Sequence, residues 1–356
     1  MTAPPPVDET ALLPHTPGLI ATLLSLGTGP ATGGWDRIEP PGFVAGLATG
    51  DVRLVHLRKA LWSPRSGLIA LQDGSIPDAP AQQVPDLAAA HAALRRAPVR
   101  RVARGAVWVS GGSARNYGHF LMDSLTGLAA LDQSGLLTAF PPVTPALTSW
   151  QTGLIRAAGI KAPLPPCADQ AIAFDEVIYL TTLGHYLQRN GALLQALIAR
   201  MVPDRGEARP DGDVVYLSRQ GYTGRILVNE PALQRALVAR GVKILHPERL
   251  TAADQIAAMR RARLVIGASG AALANLCFLP RGAGLVEIRP ATVVEMWLTL
   301  AAAQGGISHR VIPAQAPLSR HETPLSTRLA QLPRRVLGRY HYAYRVDIAR
   351  VLACLD

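Results

Sequence analysis

Three polar side chains interrupt the apolar run NYGHFLMDSL (116–125): the amide of Asn116, the imidazole of His119 and the carboxylate of Asp123. At a helical rotation of about 100° per residue, positions 116, 119 and 123 fall within roughly a 60° arc, with Leu121, Leu125 and Leu128 nearly opposite. One face would pack and the other would do chemistry. His119 and Asp123 are four residues apart, so one could orient the other, and either could take a proton from an attacking hydroxyl. A buried histidine and carboxylate that merely satisfy each other would give the same spacing. As a metal site the pair is incomplete.

A second group is cationic. Arg219 and Arg225, in SRQGYTGR (218–225), follow the apolar stretch VVYLS and so fall in the loop beyond the carboxyl end of a strand. Two guanidiniums there would compensate a diphosphate leaving group without a metal, or else form ordinary ion pairs on a solvated loop. The turn GASGAALAN (267–275) keeps the backbone open, and its free amides could hold a pyrophosphate, although small residues also serve close packing. Glu287, in LVEIRP, stands near the end of another strand, where it could accept hydrogen bonds from ribose hydroxyls or form a structural salt bridge. Asp211-Gly212-Asp213 precedes its strand rather than ending it, so a metal-bridged diphosphate is not expected.

Regular elements must position these groups. The runs 214–218, 242–245, 264–267 and 285–288 read as strands. Asn229 can cap a helix to Arg240, with Pro231 in its first turn and Gly241 ending it, and Thr251 with Asp254 resembles a capping box for a helix to Arg261. Such alternation predicts a parallel, Rossmann-like sheet with right-handed crossovers. Upstream, strands are expected at 53–57, 67–71, 106–110 and 176–181, with helices at 86–95, 119–131 and 191–201. The first 50 residues are rich in Pro and Gly and read as irregular.

At 356 residues the chain exceeds the size of one hydrophobic core, and the polar segment Val202 to Asp213 is the best linker. The expected domains are 1–203 on the acceptor side, 204–325 for the donor, and a basic C-terminal helical segment, 326–356. That segment, carrying RRVLGRYHYAYR, is expected either to pack back on the first domain or to rest on an anionic membrane surface.

The net charge of +11, from 36 Lys and Arg against 25 Asp and Glu, favours anionic partners, and all but Lys59, Lys161 and Lys243 of the cations are arginine. An aromatic content of 5% argues against stacking platforms for single-stranded nucleic acid, and no nucleic acid partner is expected. Cys167, Cys277 and Cys354 are isolated, which indicates neither a disulfide framework nor a zinc site and fits a reducing compartment. The apolar runs 18–26 and 264–280 are too short or too interrupted to span a membrane, so a cytoplasmic location is expected, with peripheral binding to the inner face of the plasma membrane as an option.

In order and spacing, NYGHFLMD (116–123), SRQGYTGRILVNE (218–230), ERLTAADQIAAMRRARLVIGASGAALANLCFLP (248–280) and LVEIRP (285–290) resemble glycosyltransferase family 61, whose bacterial members are often described as capsular polysaccharide biosynthesis proteins. The resemblance implies an α/β fold of two Rossmann-like domains in the GT-B arrangement. It implies inverting, metal-independent transfer from a nucleotide sugar to a hydroxyl of a glycan or lipid-linked glycan, with no further cofactor. Asp123 is then the preferred base and His119 the alternative; Asn116 and Tyr117 lie on the acceptor side. Arg219, Arg225, Asn229, Ser269, Gly270, Ala271, Asn275 and Glu287 are the donor-binding candidates. One departure stands out: the family turn commonly reads His-Gly-Ala-Gly, and here it is Ser269-Gly270-Ala271-Ala272, which removes an imidazolium charge. A non-catalytic glycan or nucleotide binder is therefore the rival reading. A nicotinamide dehydrogenase is disfavoured because no GxGxxG follows a strand with an acidic residue about 20 positions on.

Overall fold

The computed structural model describes residues 54–76, 86–109, 115–167, 170–180, 191–222, 224–293, 297–319, 321–324, 327 and 342–355. The irregular stretch expected over 1–50, and most of the arginine-rich strip with Arg328, Arg334, Arg335 and Arg339, lie outside them. The chain forms two compact units, Met1–Met201 and Val202–Asp356.

The first unit contains β1 (Leu54–Trp62), β2 (Ile69–Leu71), α1 (Leu87–Arg96) and β3 (Val99–Val107). A helical run, α2, follows in three pieces: Tyr117–His119, a π-helical turn over Phe120–Ser124, and Leu125–Gln133. Then come α3 (Leu136–Ala139), β4 (Pro142–Val143), α4 (Ser149–Ala157), β5 (Ala171–Leu180) and α5 (Gly191–Met201). The sheet order is β2-β1-β5-β3-β4, with β5, β3 and β4 parallel and β1 antiparallel to both its neighbours. This mixed sheet departs from the all-parallel pattern of a doubly wound unit. Both β1 and β5 are nearly twice the length expected, because charged residues seemed to end them. Those charges pair across strands: Lys59 with Asp175, and His56 and Arg104 with Glu176 at 3.0 and 3.1 Å. Trp62, Ile69, Val107, Phe174 and Val177 pack a core on this sheet.

The second unit follows the expected alternation closely. It contains β6 (Asp213–Leu217), β7 (Arg225–Leu227), α6 (Glu230–Val238), β8 (Lys243–Leu245), α7 (Ala252–Arg261), β9 (Ala262–Ala268), a 3₁₀ helix (Ala271–Phe278), β10 (Gly284–Pro290), α8 (Trp297–Gly305), β11 (Ser308–Ala314), β12 (Tyr342–Tyr344) and α9 (Ile348–Leu352). Its main sheet is parallel throughout, in the order β11-β10-β9-β6-β8. Chain order therefore reverses between β6 and β9, and a doubly wound sheet presents its ligand site at the carboxyl ends beside that reversal. The capping expected at Thr251 is present, its side chain accepting from the Asp254 amide at 3.1 Å.

Residues in 202–213, the segment read as a linker, are fastened to the second unit: Arg205 donates to the carbonyls of Leu279 and Gly305, the Ala208 amide donates to the Arg281 carbonyl, and the Arg281 amide to the Gly206 carbonyl. The described C-terminal residues belong to the second unit. There β12 pairs in parallel with β7, and Tyr344, Val346 and Val351 join the core with Leu227 and Leu233. Asn229 stands at the N-cap position of α6 but does not cap it. Its Nδ2 donates to the Val346 carbonyl at 2.8 Å, and its Oδ1 accepts from the Val346 amide at 3.3 Å, across 117 residues of sequence.

Asn229→Ala removes both bonds to a largely buried backbone and should destabilise the second unit by about 1 to 3 kcal/mol. Thermal denaturation checks this. An unchanged melting temperature would mean that the C-terminal strand is held by packing alone.

Candidate functional site

The loops after β6 and β9 meet at the reversal of strand order, and one side chain joins them. Arg219 leaves β6 directly, and its Nη1 donates to the carbonyl of Ser269 at 3.0 Å. The guanidinium lies so close to Gly270 that a Cβ on that residue would overlap Nη1. Glycine is required at 270 by this approach rather than by its backbone, which is extended. The Arg219 carbonyl accepts from the Tyr222 amide in a tight turn at Gly221, whose φ is +96°, and this turn brings the Tyr222 ring to 5.2 Å from the guanidinium carbon.

Arg219 is held from behind by a buried acid. Oε1 of Glu230 accepts from the Arg219 amide at 2.8 Å, the Tyr216 hydroxyl at 2.9 Å and the Ser218 hydroxyl at 3.3 Å. Burial and the Glu230 charge push the Tyr216 phenol well above its usual pKa, so it stays a donor. Burial also presses the pKa of Arg219 below the ordinary arginine value. Its Nε is buried with no hydrogen-bond partner, and neither Arg219 nor Arg225 makes an ion pair with a described residue. The result is a pair of guanidiniums, one of them strongly desolvated, at the place where a doubly wound sheet binds its ligand.

Other donor candidates face different partners. Ser269 is buried; its carbonyl serves Arg219, and its hydroxyl helps to lower the pKa of Glu287. Asn275 turns toward α7, donating to Gln255 at 3.0 Å and to the carbonyl of Ala272. Glu287 is 1% exposed and bonded by Arg289 at 2.6 and 3.1 Å and His309 at 3.1 Å, which is the internal salt bridge rather than a carboxylate offered to ribose. Asn229 is taken up by Val346. Gly270 and Ala271 remain beside Arg219, at the start of the 3₁₀ helix, where the first amides have no acceptor within the helix. The structure thus brings Arg219, Gly270, Ala271 and the β7 residue Arg225 to one region, and assigns Asn229, Asn275 and Glu287 to holding the fold.

Sequence reasoning missed two tyrosines. Tyr342 and Tyr344 stand on β12, in register with Arg225 and Leu227, in a segment read as a closing helix or a basic strip, so that reading is corrected at these residues. The signal was there: Tyr340, Tyr342 and Tyr344 alternate at the period of a strand.

In the first unit, His119 and Asp123 do form a pair. Nδ1 of His119 lies 2.9 Å from Oδ2 of Asp123, across one π-helical turn, with the residues 7% and 4% exposed. Asn116 caps this helix, its Oδ1 accepting from the amides of Gly118 and His119, and so is spent on local structure. The Tyr117 ring is half-buried against Trp150, 5.5 Å between centroids. The π turn is a wide form often found at functional sites, and Thr126 bonds back to the Leu121 carbonyl within it. Among the described residues, no three His, Cys, Asp or Glu side chains are placed to hold a metal ion.

Glu287 makes acid stability testable. Burial raises its pKa, but bonds from His309 and Arg289, the Arg289 charge and the Ser269 hydroxyl outweigh that and the net shift is downward. A carboxyl with a lowered folded pKa stabilises fully above its unfolded pKa and loses that contribution as pH falls through the folded one. Glu287→Gln should therefore lower stability near neutrality and flatten the decline on acidification. An acid limb identical to that of the unsubstituted chain, followed by circular dichroism, would show that Glu287 carries none of it.

No curated protein matches this chain. Residues 117–286, from the His119–Asp123 turn through the Arg219 loop to β10, match the family model described as glycosyltransferase 61, and this match supports a glycosyltransferase of that family.

Proposed function

We propose that this chain is an inverting, metal-independent glycosyltransferase that moves a sugar from a nucleotide-sugar donor to a hydroxyl of a capsular, exopolysaccharide or lipopolysaccharide precursor. The observation that carries the reading is Arg219: a desolvated guanidinium with an unpartnered Nε and no carboxylate, at the strand reversal of a parallel sheet. An uncompensated cation in such surroundings favours an anionic ligand, and a diphosphate suits the fork of an arginine.

In inverting transfer the acceptor oxygen attacks the anomeric carbon from one face while the bond to the diphosphate breaks on the other. Negative charge builds on the departing phosphate oxygen, and the acceptor hydroxyl must lose its proton. Arg219, Arg225 and the amides after Ser269 would meet the first need. The second falls to the Asp123–His119 pair, in which the 2.9 Å contact makes the two groups one proton-accepting unit. The excess of arginine supports a working place on anionic lipid at the inner face of the plasma membrane, and no described helix is long and apolar enough to cross a membrane.

The burial of His119 and Asp123 favours a second reading, in which they only support the helix and the chain binds a nucleotide sugar or glycan without turning it over. Incubation with radiolabelled nucleotide sugars separates the two. The transferase reading expects turnover that excess EDTA leaves unaltered, and chelator-sensitive turnover would overturn metal independence.

Arg219→Ala should weaken donor binding by about 1.5 to 3 kcal/mol, the scale of a charged hydrogen bond. Asp123→Asn should abolish transfer with donor affinity nearly intact. Retention of most activity by Asp123→Asn would exclude Asp123 as the base, and donor binding without turnover in the unsubstituted chain would establish the binder.

A further inference from the structure

The C-terminal strand delivers two phenols to the arginine site. β12 runs parallel to β7 in a register that sets Tyr342 beside Arg225 and Tyr344 beside Leu227. Residues two apart on a strand share a face, and the two rings stand edge to face, 6.3 Å between centroids. Tyr344 is wholly buried in the core of the unit. Both hydroxyls, like Nε of Arg219, are buried with no hydrogen-bond partner.

Three such groups together are unusual, because the great majority of buried polar side-chain atoms are bonded, and an unmade bond at a buried donor is costly. They also share a chemistry. Arg219 and Arg225 can only donate, and burial pushes the Tyr344 phenol up to about 12, so it keeps its proton at neutral pH. Glu230, the nearest acid, already accepts three bonds on one oxygen. The group this set would satisfy is rich in acceptor oxygens and negatively charged.

We propose that Tyr342 and Tyr344 are donor-binding residues whose hydroxyls, with Arg219 and Arg225, hydrogen-bond the diphosphate of the nucleotide sugar. This rests on the glycosyltransferase reading of the same site and extends it to residues outside the matched span 117–286. Neutral phenols add bonds to phosphate oxygens without adding further repelling cations beside Arg219. They recognise the diphosphate and not the base or the sugar. Because Asn229 ties the start of α6 to Val346, two residues beyond Tyr344, donor binding and docking of the C-terminal strand are linked, and each stabilises the other.

The test uses the full chain with Tyr342→Phe and Tyr344→Phe, which remove only the hydroxyls. Calorimetric titration with UDP, GDP and CDP reads affinity, and thermal denaturation without ligand reads stability. Each variant should bind the preferred nucleotide about tenfold more weakly than the unsubstituted chain, a factor fitting one hydrogen bond to a charged group. Ligand-free melting should hold or rise, since a buried, unbonded hydroxyl is lost. A fall in ligand-free melting would mean that the hydroxyls bond within the fold and would overturn the proposal. Wild-type affinity in both variants, with binding weakened by Arg219→Ala, would sink the tyrosine assignment and leave the transferase reading standing. No binding of any of the three nucleotides to the unsubstituted chain would sink both.

Discussion

The second unit is organised around a guanidinium lying against a glycine. For Nη1 of Arg219 to reach the Ser269 carbonyl, the carboxyl ends of β6 and β9 must be neighbours although β8 comes between them in the chain, and residue 270 must lack a Cβ. Glu230 must also sit at the start of α6, where its oxygen can hold the Arg219 amide together with Tyr216 and Ser218. Each of these is a cost unless the cation is useful. A desolvated arginine whose side chain has a carbonyl and an aromatic face but no carboxylate partner is a poor way to build a core. The same arginine makes sense as one half of an ion pair whose other half is a ligand.

The first unit spends its polar groups differently. Asn116 caps, Tyr117 packs on Trp150, and the imidazole and carboxylate that the sequence set four apart meet inside a π turn, nearly out of reach of water. A wide turn is less favourable than continuous α-helix and shifts the register of everything after it, so its presence in an otherwise well-packed helix marks a constraint beyond packing. Sealing the pair also keeps water from competing for its proton, which serves a base only if the acceptor hydroxyl can enter.

Much of this was legible. The alternation from 214 to 288 pointed to the parallel sheet because short apolar runs, such as Leu264–Ile266, alternate with amphipathic helical stretches, one of them capped at Thr251. The His119–Asp123 contact followed from helical spacing alone. Strand length in the first unit was not legible, because Lys59 and Asp175, outside the expected strands 53–57 and 176–181, fit within strands only once each supplies the other's opposite charge. Nor were the directions of Asn229, Asn275 and Glu287. A polar side chain near the end of an element faces a ligand or a neighbour according to tertiary packing, and the neighbours, Val346, Gln255 and His309, lie 20 to 117 residues away. For the same reason the tyrosines of β12 stayed hidden: the strand has meaning only once β7 is beside it.

The serine that departs from the family turn can now be judged by what it touches. Ser269 gives its carbonyl to Arg219, and its hydroxyl helps to hold down the pKa of Glu287, which Arg289 and His309 also bond. That network already contains an imidazole, His309, on the carboxylate that an imidazole at 269 would adjoin. A second one there would add positive charge beside Arg289 rather than at the ligand. On the ligand side, the charge of the turn comes from the residue lying across Gly270. Under the proposed function, Arg219 in that place would keep the cationic charge of the turn although residue 269 is serine.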